Sequence, residues 1–323
     1  MAKCNIIPIF IPFAGCPVKC IYCDQNSITG APLYKTGEEV RLEIQKGLHR
    51  MGSDSAELAF YGGTFTMLPR ERQEELLSAV GGYIKSGEIS SIRMSTRPEK
   101  LTDDDMRRLK AAGVKTIEFG IQSIDEEVLT RSKRGLVLET MEKAVRLAKN
   151  HGLSLGLQQM IGLPMDSFEK DMKTAKWIAE YADFVRIYPT VVFENTVLYE
   201  YYLEKLYKPL SLKEAIDIAA DLLDFYEHEK IPVIRVGLPH MERKDYIAGP
   251  YHDNFREFAE SKRRIKRLSH DHASIREIKA SSREINRIIG PKGYGRKYLE
   301  SQFGSIRFRV SNDEKDDLLI IER

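Results

Sequence analysis

Cys16-Pro17-Val18-Lys19-Cys20-Ile21-Tyr22-Cys23 stands at the end of an apolar run, Ile6 to Phe13, and holds three of the chain's four cysteines in the order C-x3-C-x2-C. Thiolates at this spacing on a short loop suit two kinds of site. One is an iron–sulfur cluster, which usually takes four cysteines; a loop with three leaves one iron of a four-iron cluster open to a small molecule. The other is zinc, whose structural sites are closed by four ligands and more often use C-x2-C pairs. Cys4 is the remaining candidate ligand. If the apolar run is an extended strand rising roughly 3.3 Å per residue, Cys4 lies tens of ångströms from the loop and reads as a small buried residue. The metal ligands expected are Cys16, Cys20 and Cys23.

Working outward, 323 residues with 42% hydrophobic and 30% charged side chains describe a globular protein of one large domain and a small one. No stretch approaches the roughly 18 apolar residues of a membrane span. Pro8 and Pro12 make the N-terminal run a poor signal peptide. Four cysteines, three of them clustered, do not make a disulfide framework. Free thiolates and an oxygen-labile cluster point to a reducing, cytoplasmic location. The net charge of +2 is unevenly spread. Phe255 to Val310 holds fifteen Lys/Arg against six Asp/Glu, a balance of +9, so the remainder carries −7.

Short β-branched runs alternate with helical patterns. Strands are expected at Ile6–Phe13, Glu57–Tyr61, Ser91–Ser95, Thr116–Ile121, Leu153–Ile161, Phe184–Tyr188 and Val233–Val236. Helices are expected at Glu38–His49, Arg70–Ile84, Asp103–Ala112, Leu138–Asn150, Phe168–Glu180 and Leu212–Glu229. Thr102 and the acids after it cap one helix, and Gly113 and Gly152 close two others. Such alternation means a parallel sheet with helical crossovers. The fold class is α/β: a partial or open (β/α)6-type, TIM-like barrel over residues 1–240, with a doubly wound sheet as the competing architecture. In both, ligands bind at the C-terminal ends of strands.

The strand ends are polar. The second runs into Tyr61-Gly62-Gly63-Thr64-Phe65, where two glycines allow close backbone approach or simply a tight turn. The third ends Ser95-Thr96-Arg97-Pro98; Arg97 reads as a ligand contact or as a salt-bridge residue at the barrel mouth. In the fourth, alternation puts Glu118, Gly120 and Gln122 on one face. A buried acid there needs a partner, so Glu118 either acts on a ligand or braces the barrel. Arg134-Gly135 follows, then Gln158 with a Gly162-Leu163-Pro164 turn, then Tyr188, which either positions substrate or packs.

The cysteine spacing, with Tyr22 just before the third cysteine, resembles the cluster motif of radical S-adenosylmethionine (SAM) enzymes. That resemblance implies a [4Fe-4S] cluster on Cys16, Cys20 and Cys23, with SAM on the fourth iron. Gly62-Gly63-Thr64-Phe65 with Leu68-Pro69, Thr96-Arg97-Pro98, Glu118-x-Gly120-x-Gln122-Ser123, Arg134-Gly135, Gly162-Leu163-Pro164 and Arg186-Ile187-Tyr188-Pro189-Thr190 are similar to the radical SAM domain of the Elongator catalytic subunit, a tRNA-uridine-modifying enzyme. The likeness covers residues 14 to about 200. It implies SAM contacts from Tyr22, Gly62, Gly63, Thr64, Ser95, Gln122 at the ribose, Arg134 at the carboxylate and Gln158 near the ribose. Tyr188 and Glu118 are the catalytic candidates. The cysteine spacing is tighter than Elongator's. At this length the chain is also expected to lack Elongator's acetyltransferase domain, so the acetyl-CoA half-reaction is expected to be absent or supplied by a partner.

Residues 241–272 read as a charged linker and helix, and Lys262-Arg263-Arg264-Ile265-Lys266-Arg267 as a solvated helix face. Beyond them, a strand at Ile275–Ile278, a helix at Ser282–Ile289, Gly290-Pro291-Lys292-Gly293, a second helix from about Gly295 to Phe303, and strands at Ile306–Val310 and Leu318–Ile321 make a small α+β module over 273–323. It resembles a KH domain. That resemblance implies RNA contacts from Gly290, Lys292, Gly293, Arg296 and Lys297; a cap closing the barrel is the other reading. The expected function is a radical SAM enzyme on RNA, with a flavodoxin or ferredoxin as electron donor and no membrane partner. A radical SAM enzyme on a small molecule such as a tetrapyrrole, an RNA-binding protein with a structural or redox-sensing cluster, and a zinc protein are the alternatives.

Overall fold

The structure, a computed structural model, describes residues 5–25, 29–30, 35–52, 55–241, 245–311 and 319–321. Cys4 and Leu318 lie outside the described residues. The chain runs β1 (Ile6–Phe10), α1 (Gly37–Met51), β2 (Ala56–Tyr61), α2 (Arg70–Ser86), β3 (Ile89–Thr96), α3 (Asp103–Ala111), β4 (Val114–Gln122), α4 (Glu126–Arg131), α5 (Leu138–Asn150), β5 (Ser154–Ile161), α6 (Phe168–Tyr181) and β6 (Phe184–Pro189). There follow β7 (Val192–Phe193), α7 (Val197–Leu203), α8 (Leu212–His228), β8 (Val233–Val236) and β9 (Tyr246–Ala248). The tail holds α9 (Phe255–Asp271), β10 (Glu277–Ala280), α10 (Ser282–Ile289), α11 (Tyr294–Phe303), β11 (Arg307–Val310) and β12 (Leu319–Ile321).

Seven of these strands form one parallel sheet in the order β1-β2-β3-β4-β5-β6-β8. Strand order follows chain order, so every crossover turns the same way and the sheet curls into a half-barrel rather than a doubly wound layer. β1 and β8 are its free edges. The seven strands coincide with the seven expected from β-branched runs. The inner strands β2 and β4 are buried on both faces, as a parallel sheet covered by helices requires. Local signals place the helices. Thr36 with Glu39, Thr102 with Asp105 and Ser211 with Glu214 form capping boxes on α1, α3 and α8, and Gly52 and Gly87 end α1 and α2 in the left-handed region.

The tail has its own core of Ile265, Leu268, Ile275, Ile278, Ile285, Ile288, Leu299 and Ile306. Its three-stranded sheet runs β11-β10-β12, with β10 parallel to β11 and antiparallel to β12. Helix α9 joins the modules: Phe255 and Ala259 belong to the barrel core, Ile265 and Leu268 to the tail core. The basic run on α9 is not a solvated face. Lys262 and Arg263 are buried. Lys262 pairs with Asp217 at 2.9 Å, Arg263 with Glu227 at 2.9 Å, Lys266 with Asp221 at 2.6 Å, and Arg267 with Asp224 and Glu227, each at 2.6 Å. The acids come from α8, spaced three or four residues apart along the face that meets α9.

Candidate active site

A cavity of about 420 Å³ opens at the C-terminal ends of the barrel strands. Every residue expected to bind cluster or SAM, and both catalytic candidates, line it. The five residues expected to touch RNA do not. They lie on the α10–α11 turn and the start of α11.

The cysteine loop follows β1 and is wedged against the end of β2 by glycines. A Cβ on Gly63 would stand 2.2 Å from Ala14 O and 2.6 Å from Ile11 O, and one on Gly15 would stand 2.2 Å from Thr64 O. Thr64 N donates to Ala14 O at 2.7 Å. Gly63 is therefore required inside the protein, to let the two backbones interlock, and not only for approach to a ligand. Gly62, at φ +103°, supplies the left-handed step between strand and loop. Farther on, Ile21 N donates to Ser132 O and Leu198 N to Ile21 O, tying the loop to α4 and α7.

The three thiols differ electrostatically. Cys16 Sγ sits 3.3 Å from Oγ1 of the fully buried Thr64, and burial raises its pKa. Burial also pushes the Cys23 thiol up to about 12. Cys20 is buried too, but Arg134 Nη1 at 3.3 Å and Arg97 Nη1 at 3.7 Å outweigh the desolvation and hold its pKa below the ordinary value. Arg97 also grips Glu99 and the carbonyl of Arg134, fixing that arginine's backbone. Arg97 thus makes the expected salt bridge at the barrel mouth and in addition meets the Cys20 thiol. The Tyr22 phenol is hydrogen-bonded to Cys20, and burial holds it well above its usual range.

Among the described residues, no three His, Cys, Asp or Glu side chains converge on one metal ion. Cys16, Cys20 and Cys23 are free thiols that line one cavity, a donor set that suits an iron–sulfur cluster. Two buried polar atoms of cavity-lining residues, Gln122 Oε1 and Arg134 Nε, have no hydrogen-bond partner among the described residues. Buried polar groups are rarely left so. Gln122 is also held at φ 73°, outside the usual range for its residue type. Gln158 Nε2 reaches Ser95 Oγ at 3.4 Å.

Glu118 is fully buried and saturated. It receives Arg186 Nε at 2.6 Å and Nη2 at 3.0 Å, Arg93 Nη1 at 3.1 Å and Gln158 Nε2 at 3.3 Å. Arg93 in turn pairs with Glu57 at 2.8 Å. This chain of two acids and two arginines braces β2, β3, β4 and β6. Tyr188 lines the cavity beyond it, its phenol pKa raised by burial. Sequence reading missed Arg93, Arg186 and Arg235. The signal was available, because counting back two residues from Ser95 and Tyr188 puts Arg93 and Arg186 on the same inner face.

In the tail, Lys292, Arg296 and Lys297 are exposed. Gly290 serves packing: a Cβ there would stand 2.5 Å from Ser261 Oγ of α9, and Ser261 Oγ donates to Ile288 O at 2.9 Å. Gly293 faces open space.

Comparison with known proteins agrees with this geometry. Residues 10–178, just over half the chain, match the radical SAM superfamily, and residues 182–267 match the Radical_SAM C-terminal domain. The chain belongs to the radical SAM superfamily and is an enzyme of the kind that uses a [4Fe-4S] cluster and SAM. Within that class it is related to the Elongator catalytic proteins. It is 29% identical over 256 residues to the tRNA uridine(34) acetyltransferase of Methanocaldococcus infernus, covering 66% of this chain and 48% of that protein. It is 28% identical over 213 residues to Elongator complex protein 3 of Saccharomyces cerevisiae, covering 59% of this chain and 38% of that one. The chain thus spans about half, or less, of these relatives. Among solved structures, the archaeal Methanocaldococcus infernus Elp3 with an N-terminal deletion superposes with a TM-score of 0.64 at 22% identity, covering 85% of this chain and 66% of that one. Coproporphyrinogen III oxidase from Escherichia coli shares the fold, with a TM-score of 0.51 at 20% identity over 70% of this chain and 52% of that one.

Proposed function

We propose that this enzyme modifies RNA, with a tRNA uridine as the target. The observation that carries the reading is the convergence of thirteen expected site residues on one cavity, in a chain whose relatives are named for tRNA uridine(34). Cys16, Cys20 and Cys23 hold the cluster. Gly62, Gly63 and Thr64 shape the wall beside it. Gln122, Ser95 and Gln158 offer polar groups to the SAM ribose, and Arg134 offers its guanidinium to the SAM carboxylate. When bound, cluster and SAM supply a 5′-deoxyadenosyl radical able to abstract hydrogen. The chain's own part is to hold them in register, to keep water out and to place a C–H bond near Tyr188. Glu118 acts through Arg93 and Arg186 as a brace.

The exposed Lys292, Arg296 and Lys297 support an RNA contact from the tail, alongside the packing role of Gly290. The electron donor is a flavodoxin- or ferredoxin-like protein, and the compartment is a reducing cytoplasm. Among the described residues no helix is long and apolar enough to cross a membrane.

Anaerobic reconstitution tests the reading. Iron should bind, and reduction with SAM should yield 5′-deoxyadenosine, more of it with tRNA present. No product rejects the SAM-cleaving site. RNA binding that is independent of salt and unchanged in a Lys292→Asp/Arg296→Asp variant rejects the tail contact.

A further inference from the structure

Among the described residues the arginines of the cavity wall are engaged by side chains, with one exception; Lys19, at the cysteine loop, reaches Asn195 O at 3.4 Å and stands over the Phe13 ring. Arg186 is bound by Glu118 and by the Tyr61 hydroxyl at 2.9 Å. Arg97 is held by Glu99, and Arg134 faces Cys20. Arg235, on β8, pairs in register with Arg186 on β6, which brings it to the same inner face and the same cavity. It has no carboxylate partner among the described residues. Its single polar contact there is Nε donating to Gly237 O at 3.2 Å, which leaves both Nη groups without an acceptor.

Arg235 is only partly buried, so its Nη groups are open to an anion that enters the cavity, and a guanidinium binds such a group through charge-assisted hydrogen bonds. The surroundings select the anion. Tyr188 stands beside Arg235 on the neighbouring strand, and Val191, Phe193, Leu238 and Pro239 give the same end of the cavity an apolar wall. An apolar surface next to a free, fork-shaped donor suits a nucleotide: base or sugar against the wall, phosphate on the guanidinium. The SAM contacts proposed above come from β2 to β5 and Arg134. β8 lies at the other edge of the sheet, beyond β6. The carboxylate of SAM already has an arginine on its own side.

We propose that Arg235 is the phosphate-binding residue of the substrate half of the cavity, gripping an RNA backbone phosphate next to the nucleotide that enters. This rests on the RNA reading above and adds to it the point at which the backbone is held.

The test compares ligands of the full-length, reconstituted protein by calorimetry. The probes are the uridine trinucleotide with ordinary phosphodiesters, the same trinucleotide with neutral methylphosphonate links, inorganic phosphate, and SAM. The native trinucleotide should bind about tenfold tighter than the neutral one, the order expected for a charge-assisted contact. That preference should vanish in Arg235→Gln and persist in Arg235→Lys, with thermal unfolding checking that both variants fold. Equal binding of the two trinucleotides by the wild type overturns the proposal with no variant needed. So does loss of SAM affinity in Arg235→Gln as large as the loss for the trinucleotide, which would move Arg235 to the SAM side. Inorganic phosphate binding as tightly as the trinucleotide would assign the site to a free anion instead. Failure of both trinucleotides to bind would remove the RNA reading itself, whereas binding without discrimination removes only the role of Arg235.

Discussion

Arg134 Nη1 lies 3.3 Å from Cys20 Sγ, so the middle thiol of the loop has a cation against it where Cys16 has a threonine hydroxyl. The loop is therefore not three equivalent thiols. In the reduced apoprotein, thiolate absorbance followed against pH should show one transition below the usual cysteine range and others above it, Cys23 near 12. Cys20→Ala should delete the low transition, and Arg134→Gln should move it up. A low transition that survives Cys20→Ala would place the thiolate elsewhere.

Gly63 should tolerate no side chain. Its Cβ would meet the backbone oxygens of Ala14 and Ile11, which cannot move without displacing the cysteine loop. Gly63→Ala is expected to fold, because the clash is confined to the loop. It should bind less than about a tenth of the wild-type iron after reconstitution, since misplacement by about 1 Å is enough to spoil a preorganised site. Wild-type iron content in that variant would show that the interlock does not matter.

The half-barrel was legible because its signals are local: β-branched runs, caps such as Thr102, and alternation that set Glu118, Gly120 and Gln122 on one face. What was hidden is pairing across distance. Lys262 to Arg267 looks solvated until α8 is laid against α9, and Asp217, Asp221, Asp224 and Glu227 prove to be its partners some forty residues upstream. The matching three- and four-residue spacings were in the sequence, but nothing local says that the two helices touch. The packing role of Gly63 was hidden in the same way, its neighbours Ala14 and Ile11 being some fifty residues earlier in the chain.

The brace at Glu118 should dominate stability. Glu118→Gln leaves Arg186 buried without its counter-charge, and breaking one side of a buried pair costs about 3–5 kcal/mol. Urea unfolding of Glu118→Gln, Arg186→Met and the double variant should show strong coupling, with the double variant less damaged than the two single effects added together. Additive effects would mean that the pair is not a unit. Unchanged stability with lost turnover would return Glu118 to a catalytic role.

The α8–α9 ion pairs make a separate prediction about the basic run. Lys266→Ala with Arg267→Ala removes pairs that are partly exposed, so the loss should be about 1 kcal/mol and shrink in high salt. Since these cations are already neutralised by α8, RNA affinity measured against salt should keep the wild-type slope. A slope reduced by about two would show that the run meets phosphate after all.

The loop after β5 should make stability depend on pH. Asp166 accepts backbone N–H groups from Gly162, Leu163 and Ser167, and its carboxyl is hydrogen-bonded to that of the buried Asp171. Burial raises both pKa values, Asp166 to about 6, and the charge of Asp166 raises Asp171 further. The folded protein therefore keeps a proton that the unfolded chain has lost. That contribution is fully present below the unfolded carboxyl value of about 4 and disappears as pH rises through about 6, a loss of roughly 1–3 kcal/mol. Tyr207 and Tyr226, packed nearby, have raised pKa values and stay neutral throughout this range. Asp171→Asn supplies the neutral partner permanently. It should match the wild type at pH 4, exceed it at pH 8 and flatten the curve between them. Urea midpoints that fall in parallel for both proteins from pH 4 to 8 would show that the proton is not shared by this pair.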